Sequence, residues 1–444
     1  MTFFWNESLA VRDLYRKFGF QKSVTNDIFW NDMIIQRNKY LNGLIGWKHT
    51  DLIKIITGIR RCGKSFLLFT LFHQHLLETG TDEDHIIEIA LDDISNEELR
   101  SPFKMLAYVK ERIKDKEQYY LIIDEVQLLD RFVEVLNSFM HIPNVDVYVT
   151  GSNSRFLSKD VATEFRGRGV EIHIYPLSFA ELYEAEGGDK QTLWKRYYTY
   201  GGLPYLAALN DDAKRGEYLS LLNQTLYLKD IVERNHISNI DEFSELMKVM
   251  ASGIGSPCNP NKIANTFNTV KKSTLDNKTI ANYLLYMEDA FIIEKSTRYD
   301  IKGRKYIGTL SKYYFQDIGL RNALLNFRQV EETHIMENII YNELRSRGYN
   351  VDVGMVEVRS ATERKQLEVD FVANKGDKRY YIQSAFALPN EEKREQELAS
   401  LKRINDSFKK IIIMREDIAP YHDDNGVLIM GLMDFLLGTD IDET

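Results

Sequence analysis

Gly58-Ile59-Arg60-Arg61-Cys62-Gly63-Lys64-Ser65 stands between two apolar runs, Leu52-Ile53-Lys54-Ile55-Ile56 before it and Phe66-Leu67-Leu68-Phe69 after it. That order predicts a strand, a glycine-bounded loop and the opening of a helix over 66–77. It is the G-x-x-x-x-G-K-[ST] pattern of a phosphate-binding loop. Glycine lets the loop wrap tightly and lets backbone N–H groups approach an oxyanion. Those amides and the new helix N-terminus cradle phosphates. The expected contacts are Gly58, Ile59, Arg60, Arg61, Cys62, Gly63, Lys64, Ser65 and Phe66. Lys64 reaches the β- and γ-phosphates, and Ser65 offers a hydroxyl to Mg²⁺. The plain alternative is a glycine turn before an ordinary helix, and the complete Gly-Lys-Ser ending argues against it.

A chain of 444 residues is long enough for two to four domains with full cores. Hydrophobic residues make up 44% and charged residues 28%, the balance of an ordinary globular protein. A net charge of −9 excludes a protein basic all over but not a local basic patch. Of the cysteines, Cys62 lies inside the loop, where a disulfide to Cys258 would obstruct a ligand, so a reducing cytoplasm is expected. Met1-Thr2-Phe3-Phe4-Trp5-Asn6-Glu7 lacks a basic segment followed by a long apolar core, and no apolar run is long enough to span a bilayer. No signal peptide and no membrane partner are therefore expected.

Up to Trp47 the apolar residues Ile34, Ile35, Tyr40, Leu41 and Leu44 recur at helical spacing. Downstream of the loop, Ile86-Ile87-Glu88-Ile89-Ala90-Leu91 reads as a strand and 103–114 as a helix. Tyr119-Tyr120-Leu121-Ile122-Ile123-Asp124-Glu125 is an apolar strand ending in two acids, as the second half of an ATP-hydrolysing site requires. Asp124 would hold the Mg²⁺ shell and Glu125 would orient and polarise the attacking water. Asp146-Val147-Tyr148-Val149-Thr150-Gly151-Ser152-Asn153 is a further strand ending in small polar residues, expected beside the strand that feeds the loop. Ser152 or Asn153 would touch a γ-phosphate or the lytic water, or simply cap the next helix. Arg166-Gly167-Arg168 sets two arginines around a glycine, ahead of the strand Val170-Glu171-Ile172-His173-Ile174. It is either a cationic group for phosphoryl transfer, in its own subunit or a neighbour's, or a solvated turn. In Gly201-Gly202-Leu203-Pro204, inside a helical lid, Pro204 would lie against an adenine ring or merely break a helix.

These motifs, with Pro176-Leu177-Ser178-Phe179, follow one another in an order that resembles the prokaryotic AAA-type (AAA+) ATPases carrying a C-terminal domain of unknown function. The chain also resembles the signal-transducing branch of AAA+ ATPases, in which a Gly-x-Pro turn contacts the base. The resemblance implies ATP and Mg²⁺ as cofactors, Lys64 and Ser65 on phosphate and metal, Asp124 on the metal and Glu125 as catalytic base. It further suggests Asn153 as a γ-phosphate sensor and Arg168 as an arginine finger.

Beyond the lid, helices over 242–251, 259–267 and 279–287 precede two strands, 291–295 and 305–307. Helix, turn, helix and hairpin is the winged-helix order. Lys271, Lys272, Lys278, Arg298, Lys302, Arg304 and Lys305 gather there, so DNA is a candidate partner, with a protein-contact module as the alternative. From Thr333 the pattern resembles the restriction-endonuclease-like fold, whose central strands offer Asp and then Glu-x-Lys. Glu337 and Asp370 match; Gln383 stands for the second acid and Ala385 for the lysine. Lys365, Lys375 and Lys378 are the cations near enough in sequence to substitute. The domain is read as catalytically degenerate, since fold does not imply function.

The expected architecture is α/β throughout: a P-loop NTPase parallel sheet with helical lid, then a winged helix, then a restriction-endonuclease-like α/β domain. The expected limits are 1–47 for an N-terminal helical segment, 48–175 for the ATPase core, 176–240 for the lid, 241–325 for the winged helix and 326–444 for the nuclease-like end. The leading function is Mg²⁺-dependent ATP binding and hydrolysis that controls the C-terminal modules. The alternatives are an ATP-regulated DNA-binding protein with little turnover and an ATP-dependent nuclease. A second copy of the chain is an expected partner if an arginine acts across subunits.

Overall fold

The computed structural model describes residues 34–151, 167–271, 275–359, 364–439 and 441. The chain divides into two compact units, Met1–Ile174 with Leu203–Asn210, and Tyr175–Gly202 with Asp211–Thr444.

The first unit is built on a parallel sheet of five strands in the order β2-β3-β4-β1-β5. They are β1 (Ile53–Thr57), β2 (Ile86–Ala90), β3 (Tyr119–Asp124), β4 (Val145–Thr150) and β5 (Gly169–His173). Every residue of β1 and of β3 is buried. That is why both read as mainly apolar runs, since a parallel sheet is covered by helices on both faces; Lys54, the charge within β1, is buried and paired with Asp146 of β4. β4 lies between β1 and β3, with Ile56 paired to Thr150 and Ile123 to Val149. The C-terminal ends Thr57, Asp124 and Thr150 thus share one edge, where ligands bind in open α/β sheets. The helix after the loop runs through Lys64–Phe66, a π-helical Leu67–Phe72 and His73–Glu78. Its Leu67, Leu68, Leu71, Phe72 and Leu76 are buried. Ahead of the sheet, Asn38–Gly46 is a helix that buries Tyr40 and Leu44.

The second unit joins a series of helices to a sheet of eight strands in the order β12-β13-β11-β10-β9-β8-β6-β7. β6 (Ile293–Asp300) and β7 (Lys305–Phe315) form a hairpin; β8 (Asn350–Arg359), β9 (Arg364–Lys375), β10 (Lys378–Ala385), β11 (Lys409–Met414), β12 (Tyr421–His422) and β13 (Leu428–Gly431) complete the sheet. The helices Ile240–Ser252, Pro260–Lys271 and Asn277–Asp289 precede the hairpin in the expected order. Asp276 caps the third by accepting from Thr279 N at 2.7 Å.

The hairpin is not a free wing. β6 also pairs in parallel with β8, Arg298 opposite Val353 and Asp300 opposite Met355. The sheet therefore runs across the limit expected between 325 and 326. The physical reason is the second edge of β6, whose N–H and C=O groups need partners that a two-stranded hairpin cannot supply. Arg298 Nη2 meets Met355 Sδ at 2.7 Å and Lys302 Nζ donates to Glu357 O at 3.4 Å, while Arg304 and Lys305 face solvent. Lys278 is exposed; Lys272 lies outside the described residues.

Candidate functional site

The loop owes its shape to three residues with positive φ: Gly58 at 143°, Arg61 at 67° and Gly63 at 97°. A side chain on Gly58 would collide with Ile174 O, so only glycine fits the loop at that point. Lys64 is buried, and its ammonium donates to Gly58 O at 3.0 Å and Ile59 O at 3.1 Å. The loop's own carbonyls thus hold the cation within the cradle.

Ser65 Oγ donates to Asp124 Oδ2 at 2.7 Å, joining the loop after β1 to the end of β3. Thr150, ending β4 between them, donates its hydroxyl to Asp124 Oδ1 and accepts from Glu125 N at 2.9 Å. Thr150 thereby sets both acids, a task the motif reading missed. Its only sequence signal was a hydroxyl at the end of an apolar strand. Glu125 is held in the left-handed region, φ 52° and ψ 47°, which ends the strand, and Gln127 Nε2 donates to its carboxylate. Burial, then the neighbouring charge of Glu125, lifts the Asp124 carboxyl to about 6.

Pro204 opens a short 3₁₀ turn, Pro204–Ala208, and its Cγ lies 3.7 Å from the position a side-chain carbon on Gly63 would take. The proline is therefore at the phosphate loop. Arg168 is not. It is exposed, immediately precedes β5, and its carbonyl accepts from Ile53 N at 2.8 Å, at the start of β1. The loop leaves the other end of β1, about 13 Å of strand away. A finger role for Arg168 within its own chain does not fit this position. Asn153, Ser152 and Arg166 lie outside the described residues.

In the second unit the structure brings together most of the residues expected there. Asp370 N faces Gln383 Oε1 at 3.4 Å across β9 and β10, and Asp370 Oδ2 accepts from Ser384 N at 2.8 Å. Ala385 is buried. Lys365, Lys375 and Lys378 are exposed, and Lys375 Nζ is spent on Arg347 O at 2.8 Å. The cation comes instead from β7. Lys312, 3% exposed, is 2.9 Å from Glu337 and 2.7 Å from Glu368. Tyr314 adds a hydrogen bond to Glu337 at 2.7 Å. Burial pulls the Lys312 ammonium down, but Glu337, Asp370 and Glu368 outweigh it and its pKa ends above the usual lysine value. Burial, then Glu337, pushes Asp370 well above the carboxylate range, toward its neutral form. The Lys312 ammonium offsets part of the negative charge that these carboxylates would offer a divalent cation. A lone lysine within Ser311-Lys312-Tyr313-Tyr314-Phe315 was the sequence signal for that pairing.

The five-stranded order and the loop at its edge define an AAA-type P-loop ATPase fold, to which nucleotide binding belongs. The AAA domain family matches residues 50–183. Two domains of unknown function, DUF8612 and DUF4143, match 191–331 and 332–435. An uncharacterized protein of Haemophilus influenzae is 33% identical over 410 residues, covering 91% of this chain and 99% of that protein. An uncharacterized protein of Methanocaldococcus jannaschii is 30% identical over 376 residues, covering 79% and 78%. The chain belongs to this family of AAA-type ATPases whose C-terminal domains are of unknown function. Among solved structures, the Aeropyrum pernix Orc1 protein in complex with DNA aligns over 69% of this chain and 94% of its own, at 14% identity and a TM-score of 0.28. At that score the alignment carries no argument. No helix among the described residues is long and apolar enough to cross a membrane.

Proposed function

We propose that the chain binds ATP with Mg²⁺ at the loop 58–65 and hydrolyses it, and that the nucleotide state governs the C-terminal unit. The observation that carries this reading is the Ser65 hydroxyl 2.7 Å from the Asp124 carboxylate, beside the buried Lys64. A hydroxyl and a carboxylate side by side, with water completing the shell, suit a hard cation. Ser65 and Asp124 hold it, and Mg²⁺ when bound neutralises charge on the β- and γ-oxygens. Lys64 exchanges the Gly58 and Ile59 carbonyls for phosphate oxygens. Glu125, set by Thr150 and turned out of the strand, orients the attacking water and accepts its proton. Pro204 lies against the base side of the loop. A neighbouring copy's Arg168 is the way that residue reaches a γ-phosphate, since its own loop is at the far end of β1; a homo-oligomer is part of the reading. DNA is the partner proposed for the exposed Lys278, Arg304 and Lys305. A cytoplasmic location suits a buried free Cys62 within the loop.

The test is equilibrium binding of a fluorescent ATP analogue together with phosphate release, in wild type and in Lys64→Ala. The variant should lose turnover and bind the analogue more weakly. Turnover at the wild-type rate in Lys64→Ala would move the site elsewhere.

A further inference from the structure

The segment Leu203–Asn210 belongs to the first unit, while the residues on either side of it, Tyr175–Gly202 and Asp211 onward, belong to the second. The chain enters that segment through Gly201-Gly202, and the entry is tightly built. Asp317 is buried at the start of the helix Ile318–Leu324. Its Oδ2 accepts from Gly202 N at 2.8 Å and its Oδ1 from Leu320 N at 3.0 Å. On the other side of Gly202, Leu177 N donates to Gly202 O at 2.7 Å, and Tyr197 Oη donates to Leu177 O at 3.0 Å. A side chain on Gly201 would collide with the Asp317 carboxylate, one on Gly202 with Leu177 O, and one on Gly319 with Tyr200 O. Asn322 Nδ2 donates to Tyr198 O at 2.9 Å and Thr199 O at 2.8 Å, holding the end of the helix Lys190–Tyr200.

Capping a helix does not require this carboxylate. A serine caps as well, without carrying a charge into the interior. Burial lifts the Asp317 carboxyl to about 6 even though the amides of Gly202, Leu320 and Gly319 pull it back. What an aspartate adds over a serine is a second oxygen, and that oxygen is on Gly202. Two residues further on, Pro204 stands at Gly63, next to Lys64.

We propose that Asp317 is a positioning residue for the nucleotide site: through Gly202 it sets where Pro204 stands at Gly63, and through Leu320 it ties that turn to the helix Ile318–Leu324. The proposal rests on the reading of 58–65 as the nucleotide site. It makes Gln316-Asp317-Ile318-Gly319-Leu320-Arg321-Asn322 the element of the second unit that registers nucleotide occupancy. Nucleotide against Pro204 shifts the Gly201-Gly202 turn, the turn pulls on one carboxylate oxygen, and the other oxygen holds the helix.

Asp317→Ala removes both acceptors and risks the fold, so the deciding variant is Asp317→Ser, whose hydroxyl still caps Leu320 N but is too short for Gly202 N. Full-length protein is titrated with a fluorescent non-hydrolysable ATP analogue, and amide hydrogen exchange over 201–205 and 318–324 is followed with and without it. In wild type the analogue should slow exchange in both segments. In Asp317→Ser the affinity should fall about tenfold, as loss of one charge-assisted hydrogen bond implies. Exchange over 318–324 should then ignore the analogue while keeping its wild-type rate in its absence. A response over 318–324 that survives in Asp317→Ser overturns the proposal. So does general loss of protection in the nucleotide-free variant, which would make Asp317 merely structural. A wild type that does not bind the analogue overturns the nucleotide reading instead.

Discussion

Glu125 shows how much a single backbone angle contributes. In the strand conformation of Asp124 its side chain would follow the alternation of β3; the left-handed angle, with Glu125 N bonded to the Thr150 hydroxyl, breaks that alternation at the end of the strand. Glu125→Gln keeps shape and turn but removes the proposed base. Turnover should fall about 10²-fold or more, with analogue binding retained. Measured together, loss of binding alongside turnover would make Glu125 part of the binding site rather than the base. Thr150 belongs beside it, since one hydroxyl bonds both acids, adding to the Ser65 bond on Asp124 and the Gln127 bond on Glu125.

The helix Ile318–Leu324 and the β6–β7 hairpin are the elements for which roles beyond their own packing are proposed. For the helix, the Asp317 carboxyl at about 6 lies above the ordinary carboxylate value of about 4. The folded state therefore holds that proton more tightly than the unfolded chain does. Its stabilising contribution is complete below about pH 4 and is lost as pH rises through about 6. The difference in denaturation midpoint between wild type and Asp317→Asn should accordingly shift toward wild type on acidifying from about pH 7 to about pH 5. A difference that does not change with pH would count against a buried, proton-favouring Asp317. For the hairpin, Lys302, Arg304 and Lys305 stand at its turn, and changing all three to Ala should weaken the proposed DNA binding for every sequence. The log–log salt slope should flatten by up to about three units. Unchanged isotherms would assign the hairpin to protein contact. Lys302 contributes least to that expectation, because Glu357 O already engages its ammonium.

The second unit is held together at one point by charges drawn from across its fold. Lys312 comes from β7, Glu337 from the helix Glu332–Ser346, and Glu368 and Asp370 from β9. Removing the cation leaves carboxylates without their counter-charge, so Lys312→Met should cost roughly 3–5 kcal/mol of stability in denaturant unfolding. A variant as stable as wild type would show the cluster to be solvated rather than buried. The same arrangement argues against phosphodiester cleavage: the ammonium offsets the carboxylate charge that would hold a metal, and Ala385 offers no proton transfer. Supercoiled, linear and single-stranded substrates should survive incubation with Mg²⁺ or Mn²⁺, with and without ATP. Cleavage abolished by both Asp370→Ala and Lys312→Met would instead make Lys312 the displaced lysine of an active nuclease.

The ATPase sheet and its loop were legible from the sequence because their signals are local. A buried parallel strand announces itself as a mainly apolar run, and a phosphate loop needs its glycines, lysine and serine within a short stretch of chain. The strands ending at Asp124 and Thr150 were readable for the same reason. What folding alone decided are the relations between strands. Asp124 meets Thr150 across 26 residues and Lys312 meets Glu337 across 25, distances over which composition says nothing about register. Arg168 looked like a finger from its glycine-flanked setting, yet parallel pairing of β5 with β1 sends it to the edge opposite the loop. The hairpin looked complete as two strands, yet the unpaired edge of β6 drew in β8. In each case the deciding term is the hydrogen-bond and charge partnership of a strand, which depends on which neighbour the whole chain places beside it.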